Sequence, residues 1–205
     1  MRKYIAILFL FVQANLLFAS EFWVGTTQGL NLSQVSFVPT VSQNYLMGYN
    51  GGVVARYISE PNLGIQAEII FSQRGWAEKH DDTGSIYRRM NYIELPIMTH
   101  IYFGKKAFRG FVNLGPKIGF FTGETQSAIT DATPDRFSIP VKYKFDYDIA
   151  GGLGFGLFFN RLCYQAEGRY GFGLGDFFGN KKGADPYSRS AFRTVSVNFS
   201  LLYRL

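Results

Sequence analysis

The sequence predicts an all-β protein: one eight-stranded antiparallel transmembrane up-and-down β-barrel of an outer membrane, preceded by a cleaved signal peptide. Three observations carry that expectation. Apolar and polar residues alternate through most of the chain, short and long connections follow one another in strict order, and the chain begins with a basic-then-apolar leader. "YKFDYDIAGGLGFGLFFN" (Tyr143–Asn160) displays the alternation most fully. Tyr143, Phe145, Tyr147, Ile149, Leu153, Phe155, Leu157 and Phe159 share one parity, while Lys144, Asp146, Asp148, Ala150, Gly152, Gly154 and Gly156 share the other. Successive side chains of a strand point to opposite faces, so one face is apolar and the other is charged at one end and bare at the other.

The leader comes first in the chain. "MRKYIAILFLFVQANLLFAS" has basic Arg2 and Lys3, an apolar run from Tyr4 to Val12, and small residues at Ala19 and Ser20, the layout of a secretory signal peptide. Residues 1–20 are therefore read as the leader and 21–205 as the barrel domain. An N-terminal membrane anchor is the competing reading, because Leu17 is large for the position three before a cut after Ala19. No cysteine lies near that cut, which argues against a lipoprotein.

Of the 205 residues, 21 are Phe, 13 Tyr and 23 Gly, and only 18% are charged. That profile suits an aromatic-rich β protein punctuated by glycine. With Arg2 and Lys3 removed, 19 basic residues face 15 acidic ones. A net charge of +4 with scattered basic residues lacks the clustered footprint of a nucleic-acid binder. The single cysteine, Cys163, excludes an intrachain disulfide framework and reads as a small residue on a strand.

Eight period-two segments follow the leader: Glu21–Leu32, Tyr45–Ile58, Gly64–Trp76, Tyr87–Phe103, Phe108–Thr122, Val141–Phe159, Leu162–Phe172 and Ala191–Leu205. No run of 18 apolar residues occurs beyond the leader, so no spanning helix is expected. Segments two and three are joined by "SEPNL", four and five by "GKKA", and six and seven by little more than Asn160-Arg161. The remaining links are long and polar: "SQVSFVPTVSQN", "AEKHDDTGSI", "GETQSAITDATPDRFSIP" and "GLGDFFGNKKGADPYSRS". Strict alternation puts every short turn at one end and every long loop at the other, the asymmetry of outer-membrane barrels.

Parity then assigns faces. Ile65, Ala67, Ile69 and Phe71 turn outward, against Gln66, Glu68 and Ser72 inward. Ile93, Leu95, Ile97 and Ile101 oppose Glu94 and His100, and Val112, Leu114, Ile118 and Phe120 oppose Asn113 and Lys117. Glu167 and Arg169 face inward, and Val195, Val197, Phe199, Leu201 and Tyr203 face lipid. Arg89 and Arg193 break the rule at the long-loop ends, where they clear the hydrocarbon at the level of lipid phosphates. A soluble ligand barrel would invert these faces. Loop asymmetry, aromatic strand ends and strand length favour the membrane version.

The predicted interior network holds Arg56, Glu68, Glu94, Lys117, Lys142, Lys144, Asp146, Asp148, Glu167 and Arg169, five acids against five bases. Buried charges are expensive unless paired, so these should pair across strands, with trapped water, and seal the lumen. Gly152, Gly154 and Gly156 leave room for long neighbouring side chains.

Several stretches also resemble a known family. "YRRMNYIELPIMTHIYFG" (Tyr87–Gly104), "RGFVNLGPKIGFF" (Arg109–Phe121) and "FDYDIAGGLGFGLFF" (Phe145–Phe159) resemble the PorT-like outer-membrane β-barrel family of Bacteroidota, as do "GIQAEIIFSQRGW" (Gly64–Trp76) and "YQAEGRYGFGL" (Tyr164–Leu174). The resemblance covers most of the mature chain. It implies an integral outer-membrane barrel; the best-known branch is tied to type IX secretion, and most members have no assigned activity. The end departs from the common pattern: "NFSLLYRL" closes on Leu205 where many such barrels close on an aromatic, which Tyr203 supplies two residues earlier.

Catalytic chemistry has little support. "GGLGFG" and "GFGLG" do not fit GxGxxG spacing and open no helix. No His/Cys cluster has metal spacing, and no cofactor is expected. "HDDTGS" (His80–Ser85) does gather His, Asp and Ser in a loop facing the exterior, where lipid A acyl chemistry would be possible with His80 activating Ser85. The simpler reading is a solvated loop, because adjacent loop residues have no fixed geometry. His100 with Glu94 reads as a satisfied interior pair. The leading expectation is a non-enzymatic structural or accessory barrel in secretion or envelope assembly. A lipid-modifying enzyme and a small pore are the alternatives. Expected partners are outer-membrane lipids, the barrel assembly machinery and envelope proteins, and not nucleic acid.

Overall fold

The computed structural model describes residues 21–80, 84–104, 107–127, 133–181 and 185–205. The leader assigned to 1–20 lies outside the described residues. Eight antiparallel strands close into a barrel in sequence order: β1 Glu21–Val38, β2 Leu46–Glu60, β3 Leu63–His80, β4 Gly84–Phe103, β5 Phe108–Gln126, β6 Phe145–Phe159, β7 Leu162–Gly173 and β8 Arg189–Arg204. Closure pairs β1 with β8 from Trp23–Arg204 to Val38–Arg189, so no edge strand remains to meet hydrocarbon unpaired.

The register fixes the barrel's dimensions. Stepping between paired residues from Phe22 through Tyr57, Ile65, Thr99, Leu114, Gly151, Tyr170 and Val195 returns to β1 at Leu32, ten residues on. A stagger of ten over eight strands gives a tilt of about 41° and a backbone radius of about 8 Å. Side chains alone fill such a lumen. Each residue then rises roughly 2.5 Å along the axis.

The turns at one end are tight. β2 joins β3 through Pro61 and Asn62, and β6 joins β7 through Asn160 and Arg161; Asn62 (φ 70°) and Asn160 (φ 54°) occupy the left-handed region that asparagine tolerates. Alternation is visible as burial: β7 runs from Leu162 exposed and Cys163 buried to Phe172 half-buried and Gly173 buried. Exposed Ile65, Ile69, Ile97, Leu114, Ile149, Leu153, Val197 and Phe199 make the outer wall. Aromatic residues border it, with Phe103, Phe108, Phe159 and Tyr203 near the short turns and Tyr49, Phe145 and Tyr147 toward the other end.

Strand extents differ from the sequence expectation in an instructive way. β1 continues to Val38, β3 to His80, and β4 starts at Gly84, so "AEKHDDTGSI" is mostly hairpin rather than loop. β4, at 20 residues, rises about 50 Å, twice the roughly 25 Å of an apolar membrane band. Since the short-turn ends are level, the excess projects at the long-loop end. β6 does the opposite and begins at Phe145 instead of Val141. Its last pair with β5 is Phe120–Phe145, followed by one more bond from Phe121 N to the Lys144 carbonyl; beyond it the Lys142 and Tyr143 amides both donate to the Phe177 carbonyl, peeling the chain off the sheet. Lys144 and Lys142 are consequently exposed outside the barrel, which corrects their assignment to the lumen.

Candidate functional site

Inside the barrel three layers are stacked along the axis. At the short-turn end Trp23, Val54, Ile58, Cys163 and Leu202 form an apolar plug, closed by half-buried Tyr102 and Phe158. Trp23 meets Phe158 edge-to-face at 5.5 Å between centroids. Cys163, fully buried, is a packing residue here.

Above this plug lies the polar layer, organised around two arginines. The Arg169 fork donates to both carboxylate oxygens of Glu68, at 2.8 and 2.7 Å, and to Glu167 at 3.1 and 2.9 Å. Arg56 donates to Gln66 Oε1 at 2.9 Å and to Gln165 Oε1 at 2.7 Å, tying β2 to β3 and, across the lumen, to β7. Gly152 opens the wall for this group, since a Cβ there would sit 2.1 Å from Glu167 Oε1; one at Gly154 would sit 2.4 Å from the Phe111 ring.

The second group centres on Arg74. Its three nitrogens reach Glu94 at 2.9 Å, Asp146 at 2.9 Å and Asp148 at 3.0 Å, and Lys117 bridges Glu94 (3.2 Å) and Asp148 (2.8 Å). The Arg74 guanidinium lies 4.3 Å from the Tyr92 ring centroid and 4.6 Å from that of Phe192, so both rings of this edge-to-face pair pack against it. Between the groups a cavity of about 20 Å³, lined by Asn31, Asn50, Ser72, Lys117, Thr194 and Asn198 among others, has room for about one water. Asn50 Oδ1, Thr194 Oγ1 and Asn198 Oδ1 have no hydrogen-bond partner within the protein, which fits such a water.

Of the residues expected in the interior network, Arg56, Glu68, Glu94, Lys117, Asp146, Asp148, Glu167 and Arg169 are buried together in this layer. Lys142 and Lys144 are not, and Arg74 joins it, leaving five carboxylates against four bases instead of an even balance. His100 does not pair with Glu94: its Nδ1 lies 2.7 Å from Asn113 Oδ1. The register sets His100 opposite Asn113, while Glu94 sits six residues up β4 opposite Gly119.

The third layer was not expected from the sequence. Val35, Phe37, Trp76, Met90, Tyr92, Phe137, Phe177, Phe178, Tyr187 and Phe192 form an apolar stopper at the long-loop end. Phe137 arrives from the β5–β6 loop, and Phe177, Phe178 and Tyr187 from the β7–β8 loop, so both loops fold inward over the mouth. Partly buried polar clasps hold them there. Arg88 donates twice to Glu124 and also to the carbonyls of Arg136 (3.1 Å) and Ile139 (2.7 Å). Arg136 donates to Glu78 Oε1 at 2.6 Å, and that hydrogen-bonded carboxylate holds its guanidinium above the ordinary arginine range. Phe178 N donates to Ser190 Oγ at 3.0 Å, and Ser190 N to Asp176 Oδ1 at 2.6 Å.

Each lumen carboxylate is paired with a guanidinium or ammonium, and among the described residues no group of three or more His, Cys, Asp or Glu could hold a metal. Ser85 is exposed near the top of β4, paired with Lys79, while the His80 backbone pairs with Gly84. The His80 side chain and residues 81–83 lie outside the described residues.

A closed ring of eight tilted strands with an apolar outer wall, aromatic borders and a charged interior is an integral outer-membrane β-barrel. Residues 13–179 match the outer membrane protein beta-barrel domain family, and the chain belongs to that family and to the outer membrane. Among curated proteins none matches the chain. Among solved structures it is similar to Neisserial surface protein A, at 9% identity and a TM-score of 0.52 over 90% of this chain and 97% of that one. It is also similar to Ail of Yersinia pestis, crystallised with the heparin analogue sucrose octasulfate (14% identity, TM-score 0.48, 90% and 99% covered). A third is E. coli outer membrane protein W (16% identity, TM-score 0.46, 91% and 98% covered). These likenesses are of fold.

Proposed function

We propose that this barrel is a sealed, non-enzymatic anchor that holds a rigid extracellular platform for a partner in envelope assembly or secretion. The observation that carries this reading is the obstruction of the lumen at three levels: two apolar plugs and, between them, ion pairs spanning the bore. A pore needs a continuous wet path, and a barrel of this radius has none to spare. The platform consists of the overhanging strands and the two loops fastened over the mouth by Arg88, Arg136 and Ser190. Folding by the barrel assembly machinery is part of the same reading.

The resemblance of Tyr87–Gly104 and Phe145–Phe159 to PorT-like barrels directs the partner search to type IX secretion components. Affinity isolation of the protein from outer membranes, after chemical cross-linking in cells, should recover those components. Their absence from cross-linked complexes that contain other partners would exclude the secretion role while leaving the anchor role standing. His80→Ala and Ser85→Ala should leave the mass spectrum of lipid A unchanged; a shifted acylation pattern in either would establish enzymatic activity instead.

A further inference from the structure

One side of the barrel's outer rim carries charge that no described residue neutralises. On β8 the lipid-facing positions run Tyr203, Leu201, Phe199, Val197 and Val195, all apolar and exposed. The next outward position is exposed Arg193. Ten residues separate Tyr203 from Arg193, about 25 Å along the axis, the height of an apolar membrane band. Arg193 thus stands where hydrocarbon gives way to headgroups.

Its register partner, Phe172, is the last lipid-facing residue of β7. Arg189, two outward positions above Arg193, turns back over the same ring. Its guanidinium lies 5.5 Å from the Phe172 centroid and that of Arg193 lies 5.9 Å away. Among the described residues neither arginine has an ion-pair partner. The described acids of the adjoining loop are engaged elsewhere: Asp176 accepts from Ser190 N and Asn180 Nδ2, and Asp185 from Lys181 N and Lys142 Nζ. Elsewhere on the rim basic residues stand singly or paired: Arg89 donates to the Met47 carbonyl at 3.2 Å, Lys142 pairs with Asp185, and Lys144 stands apart from them above Phe145.

Two like charges gathered at one ring repel each other, and a bound anion relieves the repulsion. The planar guanidinium fork suits phosphate oxygens and is weakly hydrated, so it loses little on leaving water. We propose that Arg189 and Arg193, supported by Phe172, form a site for the phosphate of a membrane-lipid headgroup in the outer leaflet. Lipid is favoured over free phosphate by what lies beneath: Tyr170, Val195 and Val197 continue directly below the arginines as an exposed apolar strip on which an acyl chain can lie. The site rests on the membrane placement and does not depend on the sealed lumen.

The test uses the purified protein in non-ionic detergent micelles, titrated with phosphatidic acid or with diacylglycerol of the same chains, retention being read by native mass spectrometry. Phosphatidic acid should be retained in preference, and R189Q and R193Q should each weaken it about fivefold. R193K should retain more than R193Q, and inorganic phosphate in millimolar excess should not displace the lipid. Equal retention of diacylglycerol, or undiminished retention by folded R189Q and R193Q proteins, would overturn the proposal. Displacement by inorganic phosphate at a concentration equal to the lipid's would make this a free-anion site and overturn the lipid assignment. Heat-modifiable gel migration verifies folding of each variant. Should one glutamine variant fail to fold, the other variant and the diacylglycerol comparison on the unmodified protein decide the outcome.

Discussion

The membrane-level lumen and the mouth above it are blocked by opposite chemistries. At membrane level, above the small Trp23–Leu202 plug, the obstruction is ionic, built from strand positions of one parity: Glu68, Arg74, Glu94, Lys117, Asp146, Asp148, Glu167 and Arg169. At the mouth it is aromatic, and half of its rings come from loops: Phe137, Phe177, Phe178 and Tyr187 meet Phe37, Trp76, Tyr92 and Phe192 from the strands. Where the outer wall must be apolar to meet lipid, the inward parity is free to be polar. Once the strands clear the membrane their outer faces meet water, and the inner face can become a conventional apolar core. The lesson is that one β-barrel can be a membrane protein for half its height and a soluble-type β protein for the other half.

That difference predicts different responses to substitution. The largest should come from Arg74→Met, which leaves Glu94, Asp146 and Asp148 with only Lys117 between them. Removing one partner from a buried ionic cluster costs about 3–5 kcal/mol. Urea unfolding in micelles, followed by the loss of heat-modifiable migration, should show it. Arg169→Met, which strands only Glu68 and Glu167, should lose less than Arg74→Met.

Next in size is Phe177→Ala, which removes a ring 4.5 Å from that of Phe178 and 4.8 Å from that of Phe192. A loss of about 3 kcal/mol is expected for a large-to-small change of this kind. Its signature should be local, with faster amide exchange in Phe37, Trp76 and Phe178 and little change at Glu68 or Asn113. Uniform acceleration along the barrel would mean that the two halves are one cooperative unit.

The smallest effect belongs to Arg136→Ala. Its side chain is 21% exposed, and the pair with Glu78 is partly screened, so about 1 kcal/mol is expected. Proteolysis in the β5–β6 loop of intact cells should nonetheless increase, because Arg136 is what fastens that loop to β3. The same experiment checks orientation: a tag at residues 125–134 should be reachable by antibody on intact cells and one at Lys105-Lys106 should not.

How far the sequence carries follows from the same division. Ring, strand number, lipid wall and most of the charged layer are set by parity and loop order, which are local and regular. Arg74 shares the parity of Gln66, Glu68 and Ser72 and is legible by alternation alone. The fate of Lys144 is not, because its parity is right and the chain leaves the sheet directly beside it, where the Phe177 carbonyl, far along the chain, takes the amides of Lys142 and Tyr143. The stopper is illegible for the same reason. "DRF" and "DFF" sit in polar loops, and nothing local tells an aromatic residue folded into a barrel mouth from one left on the surface. His100 marks a third limit: parity gives its face but not its height, which is what separates it from Glu94.

The sealed lumen is the central claim, and reconstitution of the purified protein into planar bilayers tests it most directly. With Trp76 and Phe177 closing the mouth, Arg74 and Arg169 spanning the bore, and Trp23 and Leu202 closing the other end, the unmodified protein should show no stable channels. Arg74→Met should lower stability without opening one. Steady, reproducible single-channel currents from the unmodified protein would contradict the account and make this barrel a small pore.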